Sequence, residues 1–158
     1  MKPRTVEEVL PVMEDMIRLE LSLAALYQAC AERFPEDGEL WPAIQRQEEE
    51  HARSIRALAD LIAAHPEEFS RGRPFNSVAT RTMLASVAGY TDQVRKGQLA
   101  RQRVLILTRD LENSVLEASY GEIVTTRNLE YGRIINRIHQ ETLSHKKAFA
   151  AELARLRG

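Results

Sequence analysis

The sequence predicts an all-α fold: four long helices packed side by side, with one long connection between the second and the third. Three observations predict it. Apolar residues recur at spacings of three and four over long segments, while strand-like alternation is scarce. Gly and Pro punctuate the chain in few places, chiefly 35–42 and 66–74. The segment 65–97 is long enough to travel the length of a bundle rather than join two neighbours by a tight turn. At 158 residues the chain is read as one domain, 1–158, large enough to bury a sizeable core.

The first helix is expected from Thr5 to about Phe34, where Pro35 stops it, with Thr5 and Glu8 in capping-box spacing. Its inner stripe reads Val6, Met13, Glu20, Tyr27 and Phe34, flanked by Leu10, Ile17, Ala24 and Ala31. The second helix starts near Asp37 or Gly38 and ends before His65-Pro66. Pro42 is tolerated there because N–H groups of the first turn have no helical partner. Within 65–97, "NSVATRTMLASVAGY" (76–90) carries an Asn or Ser cap and helical spacing, and is read as a short helix. The third long helix is expected over about Gln98 to Val124 and the fourth over about Arg127 to Leu156. Helices of ~26–30 residues are each ~40 Å long and bury their stripes best as a four-helix bundle. Short links make the first and last pairs antiparallel, and the long link leaves the second and third helices parallel.

Composition removes several functions. Apolar residues make up 44% and charged residues 28%, as in an ordinary globular chain. A net charge of −1 gives no attraction to nucleic acid or to a membrane surface. The basic cluster Arg95, Lys96, Arg101 and Arg103 reads as a solvated helix face. Cys30 is the only cysteine, which excludes an intrachain disulfide and a Cys₄ metal site. Met1-Lys2-Pro3-Arg4 runs into an amphipathic stretch with no apolar h-region, so no signal peptide is expected. No apolar run approaches the ~20 residues of a membrane span, and the expected location is the cytoplasm.

Polar residues inside the stripes carry the functional signal. The second helix reads Ile44, Glu48, His51, Ile55, Leu58, Ile62 without a break in spacing. Glu20 lies in the first stripe. The third reads Leu105, Thr108, Glu112, Val115, Ser119, and the fourth Ile135, Ile138, Thr142, His145, Phe149, Leu153. Glu20, Glu48, His51, Glu112 and His145 each fall near the middle of their helix, so they should share one layer. Any one of them alone would read as a satisfied core polar group; four helices each placing one at mid-height do not. Glu is almost never fully buried unpaired, and an isolated buried carboxylate is costly. No arginine occupies these stripes, so a divalent metal is the economical compensation. His65 and His139 read as surface or capping residues.

These residues resemble the rubrerythrin branch of the ferritin-like superfamily. The resemblance rests on Glu20 with Tyr27, "EEEHARSI" (48–55), "DLENSVLEASY" (110–120) and "HQETLSHKKAF" (139–149), and covers nearly the whole chain as a pattern. It implies a ferritin-like four-helix bundle with a single crossover, holding two iron ions by one Glu on each of two helices and a Glu-x-x-His on each of the others. Carried over, the metal ligands are Glu20, Glu48, His51, Glu112 and His145. Three residues before His145, however, stands Thr142 in place of a bridging Glu. Glu141 is adjacent but ~100° around an ideal helix. Either an irregularity such as a π-bulge turns Glu141 inward as a further ligand, or the second metal position is weakened, leaving one ion or another divalent metal. Ser119 stands where relatives often carry Tyr, with Tyr120 one place on.

The resemblance further implies a di-iron oxidoreductase that reduces peroxide or O₂, with Tyr27 catalytic as a hydrogen-bond donor or electron relay. With a single cysteine there is no rubredoxin-like iron site, so a separate electron donor is required (an erythrin-only form). A homodimer or larger homo-oligomer is expected. The alternatives are a ferritin-like protein that binds or stores iron or another divalent metal, and a bundle with a degraded site that serves as an interaction module. A haemerythrin-type centre needs five histidines, and the chain has four.

Overall fold

A computed structural model describes residues 5–157; Met1–Arg4, on which the signal-peptide expectation rests, and Gly158 lie outside it. The described residues form five α-helices and one small antiparallel sheet: α1 (Leu10–Arg33), α2 (Leu40–Ala64), β1 (Phe69–Arg71), α3 (Ser77–Arg95), α4 (Arg101–Ala118), β2 (Val124–Thr126) and α5 (Leu129–Arg157). The chain is all-α in class. No helix among the described residues is long and apolar enough to cross a membrane.

Contacts at the two ends establish the helix directions. At one end Arg101, at the start of α4, donates to Asp37 just before α2 (2.9 Å) and to Glu152 late in α5 (2.9 Å). At the opposite end β1, which follows α2, pairs with β2, which follows α4, in the register Phe69↔Thr126 to Arg71↔Val124. Thus α2 and α4 run parallel, α1 and α5 run against them, and α3 carries the chain back along α1. Gly72 N–H and Arg73 N–H extend the sheet by donating to the carbonyls of Ile123 (2.9 Å) and Glu122 (2.7 Å). A Cβ at position 72 would lie 2.2 Å from the Glu122 carbonyl oxygen, so this approach requires glycine.

Several element boundaries differ from the sequence reading. The helix expected from Thr5 begins as a 3₁₀ turn over Val6–Val9, and the Thr5 side chain makes no capping bond. Glu8, its expected capping partner, instead accepts from Arg71 at 2.6 Å. The crossover helix α3 is 19 residues long rather than short; Asn76 caps it by accepting from Ala79 N–H at 2.9 Å. The third long helix stops at Ala118, six residues early, because Ser119 takes a left-handed conformation (φ 55°, ψ 56°). A 3₁₀ turn, Tyr120–Glu122, and β2 follow it. The strands escaped notice because three residues are too few to show a period of two.

From the predicted stripes Met13, Tyr27, Ile55, Leu58, Ile62, Leu105 and Phe149 are fully buried; Met16, Leu19, Leu23, Leu26 and Trp41, outside those stripes, are fully buried as well. Each fully buried aliphatic or Phe side chain stabilises the fold by about 1.5–3 kcal/mol. Trp41 stacks on Phe149 (centroids 5.3 Å apart), and Tyr27 packs against both, at 6.0 and 5.7 Å. This aromatic layer closes the bundle interior on the side of the Arg101 clamp.

Candidate metal centre

In the midst of this apolar interior lie three carboxylates and two imidazoles. Glu20 comes from α1, Glu48 and His51 from α2, Glu112 from α4 and His145 from α5; all are buried, at 2% exposure or less. Their donor atoms form two clusters, Glu20–Glu48–His51 and Glu48–Glu112–His145, each with its atoms within 4.8 Å of one another. Glu48 belongs to both. Its Oε2 lies 3.7 Å from His51 Nδ1, and its Oε1 lies 2.8 Å from His145 Nδ1. Glu20 Oε2 is 3.8 Å from His51 Nδ1, and Glu112 Oε1 is 3.4 Å from His145 Nδ1. The two rings are nearly parallel, 5.8 Å between centroids, and both turn Nδ1 toward the carboxylates.

The opposite ring nitrogens face other side chains. His145 Nε2 pairs with the Gln47 side-chain oxygen. His51 Nε2 lies 3.6 Å from Glu141 Oε1. With Nε2 donating to Gln47, His145 Nδ1 presents a lone pair to two carboxylate oxygens, an arrangement that calls for a cation between them. The whole group is short of donors. Both oxygens of Glu20 and of Glu48, Glu112 Oε2, both ring nitrogens of His51 and His145 Nδ1 are buried without hydrogen-bond partners. Buried polar groups are nearly always paired, so this many orphans in one place fit a bound metal ion.

Electrostatics shows the same strain. Burial, and then the charges of Glu112 and Glu20, push the Glu48 carboxyl well above the ordinary carboxylate range. Burial opposes ionisation of Glu20 too, yet the neighbouring Glu48 carboxyl and His51 imidazole bring Glu20 below its ordinary value. Burial lowers the His51 imidazole, but the nearby Glu20 carboxylate and the other carboxylates around it outweigh this and raise it. Neighbouring carboxylates thus compete for protons that a divalent cation would displace.

Tyr27 lies where its sequence spacing from Glu20 suggested, inside the core, but it serves α4: its hydroxyl donates to Glu112 Oε1 at 2.6 Å. Burial, followed by the Glu112 and Glu48 charges, holds its pKa well above the phenol value, so it stays a donor. Thr142 faces inward, buried, and donates to the Ile138 carbonyl at 2.7 Å. Glu141 sits at the edge of the cluster. α5 is an uninterrupted α-helix over its described length, so Glu141 reaches His51 by side-chain length and not by a π-bulge. Arg137 stands 3.8 Å from the same Glu141 oxygen.

Two residues were missed by the sequence reading. Gln47 precedes Glu48 and lies off the apolar stripe; only the packing of α5 against α2 brings it to His145. Tyr120 was judged one place off the stripe, but the left-handed Ser119 re-aims the chain and buries the ring. Its hydroxyl is buried without a partner. Burial, then the charges of Glu20, Glu48 and Glu112, raise its pKa well above the phenol range.

Fold and site together define a class: a helical bundle with buried Glu and His groups that could hold metal ions. Comparison of the chain with protein-family models, with curated proteins and with solved structures gave no match.

Proposed function

We propose that this protein is a ferritin-like, rubrerythrin-type di-iron oxidoreductase that reduces peroxide or O₂ with electrons from a separate donor. One observation carries the reading: two carboxylate–imidazole clusters from four helices meet at the shared residue Glu48. The parallel course of α2 and α4, with α3 as the single crossover, supports it, since this is the connectivity of ferritin-like bundles. Glu20 and His51 would hold one ion, Glu112 and His145 the other, and Glu48 would serve both. Iron, when bound, would supply the one-electron redox chemistry.

The rest is the work of the protein's own groups. Tyr27 orients Glu112 and keeps one oxygen of that carboxylate hydrogen-bonded. Gln47 holds His145 by its outer nitrogen, and Glu141 stands 3.6 Å from the outer nitrogen of His51; both Nδ1 atoms face inward. The aromatic layer of Tyr27, Trp41 and Phe149 excludes water from one side. Stopped-flow mixing of Fe(II)-loaded protein with peroxide tests the proposal: fast growth of ferric absorbance is expected, and oxidation no faster than that of free Fe(II) would remove the redox role. A second reading, metal holding without turnover, is favoured by Thr142, which adds no charge where the family pattern has a carboxylate. Two tightly bound ions with no accelerated oxidation would select it.

A further inference from the structure

We infer that the metal centre takes its fourth carboxylate from solution: a small monocarboxylate enters between α4 and α5 and fills the place that Thr142 leaves without charge. The inference rests on the metal-binding reading above. Three carboxylates and two neutral imidazoles leave a pair of divalent ions with one positive charge in excess. Glu141 does not cancel it, because it is partly exposed and faces Arg137. Thr142 offers only a neutral hydroxyl whose proton is committed to the Ile138 carbonyl. A buried, uncompensated charge is costly, so the site should draw in one anion.

Space for it adjoins Thr142. A cavity of about 260 Å³ lies between α4 and α5, with Thr142 and Tyr120 in its wall. Val115, Leu116, Ile135 and Ile138 make much of the remainder apolar, which suits a carboxylate with a short alkyl tail better than a hydrated inorganic anion. Tyr120 supplies the second, independent sign of a ligand: its hydroxyl is buried without a partner, and the residue shares the wall of this cavity with Thr142. An O–H donor next to excess positive charge is a carboxylate-binding pair.

The test uses acetate as probe and Co(II), whose visible spectrum reports its ligands. Protein in carboxylate-free buffer is titrated with Co(II) with and without acetate. Acetate is expected to tighten binding of the second cobalt ion by about tenfold and to change the spectrum saturably, with one acetate per pair of ions. Thr142→Glu should bind both ions without any acetate effect, and Thr142→Ala, which adds no charge and removes little volume, should keep the wild-type response. Tyr120→Phe should weaken acetate about tenfold with cobalt affinity in its absence unchanged. Two cobalt ions bound with no response to acetate would overturn the inference and leave the metal reading intact. No cobalt bound at all would overturn both.

Discussion

Glu48 is the residue on which both clusters depend, and its environment is hostile to its charge. Replacing it by an isosteric neutral amide removes that conflict and the shared ligand together. Glu48→Gln is therefore expected to leave the metal-free protein as stable as wild type or more so, by up to about 1–4 kcal/mol, while Co(II) or Fe(II) occupancy falls away. Denaturant unfolding in EDTA and metal analysis after loading check the two halves; a less stable metal-free variant would count against the reading. Tyr27→Phe keeps the ring that packs on Trp41 and Phe149 but strips the donor from Glu112. A stability loss of about 1–3 kcal/mol is expected, with peroxide-driven oxidation slowed about tenfold or more by the same loss. Rates equal to wild type would reduce Tyr27 to a packing residue. At this scale the inward-facing identities were legible in the sequence, since Glu20, Glu48, His51, Glu112 and His145 all sit on apolar stripes. The partners were not, because Gln47 reaches His145 only through the packing of a neighbouring helix.

The end of α4 shows how an element boundary can shape a site. Had the helix continued to Val124 as its apolar spacing suggested, Tyr120 would point ~100° away from the Glu112 stripe. Ser119 in the left-handed region ends it instead, and its Oγ gains only a 3.3 Å bond to the Glu117 carbonyl. Glycine occupies that conformation without the Cβ conflict. Ser119→Gly is expected to stabilise the protein by about 0.5–1 kcal/mol, raising Tm by about 1–4 °C, with unchanged metal stoichiometry. A lower Tm in thermal unfolding would show that the serine side chain holds the turn. The bounds of α2 and α5 were legible to within about three residues because stripe and breakers agree there. The α4 terminus was not, because Ser is a poor marker of a left-handed cap and the short sheet that follows has no periodic signal.

Across the whole molecule the cluster makes stability depend on pH in a direction that metal should reverse. Glu48 is raised: the unfolded chain releases this proton above about pH 4.3 while the folded one keeps it, so stability falls as pH rises from there toward the folded value. His51 is raised as well; its contribution is complete below about pH 6.5 and is lost as pH climbs through its folded value. Glu20 is lowered and acts oppositely, stabilising above about pH 4.3 and losing that contribution in stronger acid. The metal-free protein should therefore be most stable in the mildly acidic range and weaken toward pH 8. Divalent metal, which needs the ligands deprotonated, should raise Tm little near pH 5 and most near pH 8, where metal at a hundred times its Kd adds about 2.7 kcal/mol. Thermal scans with EDTA and with Co(II) across this range decide it, and a metal-free Tm that is flat or rising from pH 5.5 to 8 would contradict the cluster as described.

The sequence by itself determined the helical class, the mid-helix position of five polar residues on inward stripes, and the long link that lets α2 and α4 run parallel. Those properties follow from spacing along the chain, and spacing is local. Only the tertiary structure decided that Glu48 is shared, that both imidazoles turn Nδ1 inward, that Glu141 stands behind His51, and that Tyr120 is buried. Each of these depends on how far one helix is rotated and slid against its neighbour. That is set by the packing of all the stripes at once, and no single stripe records it.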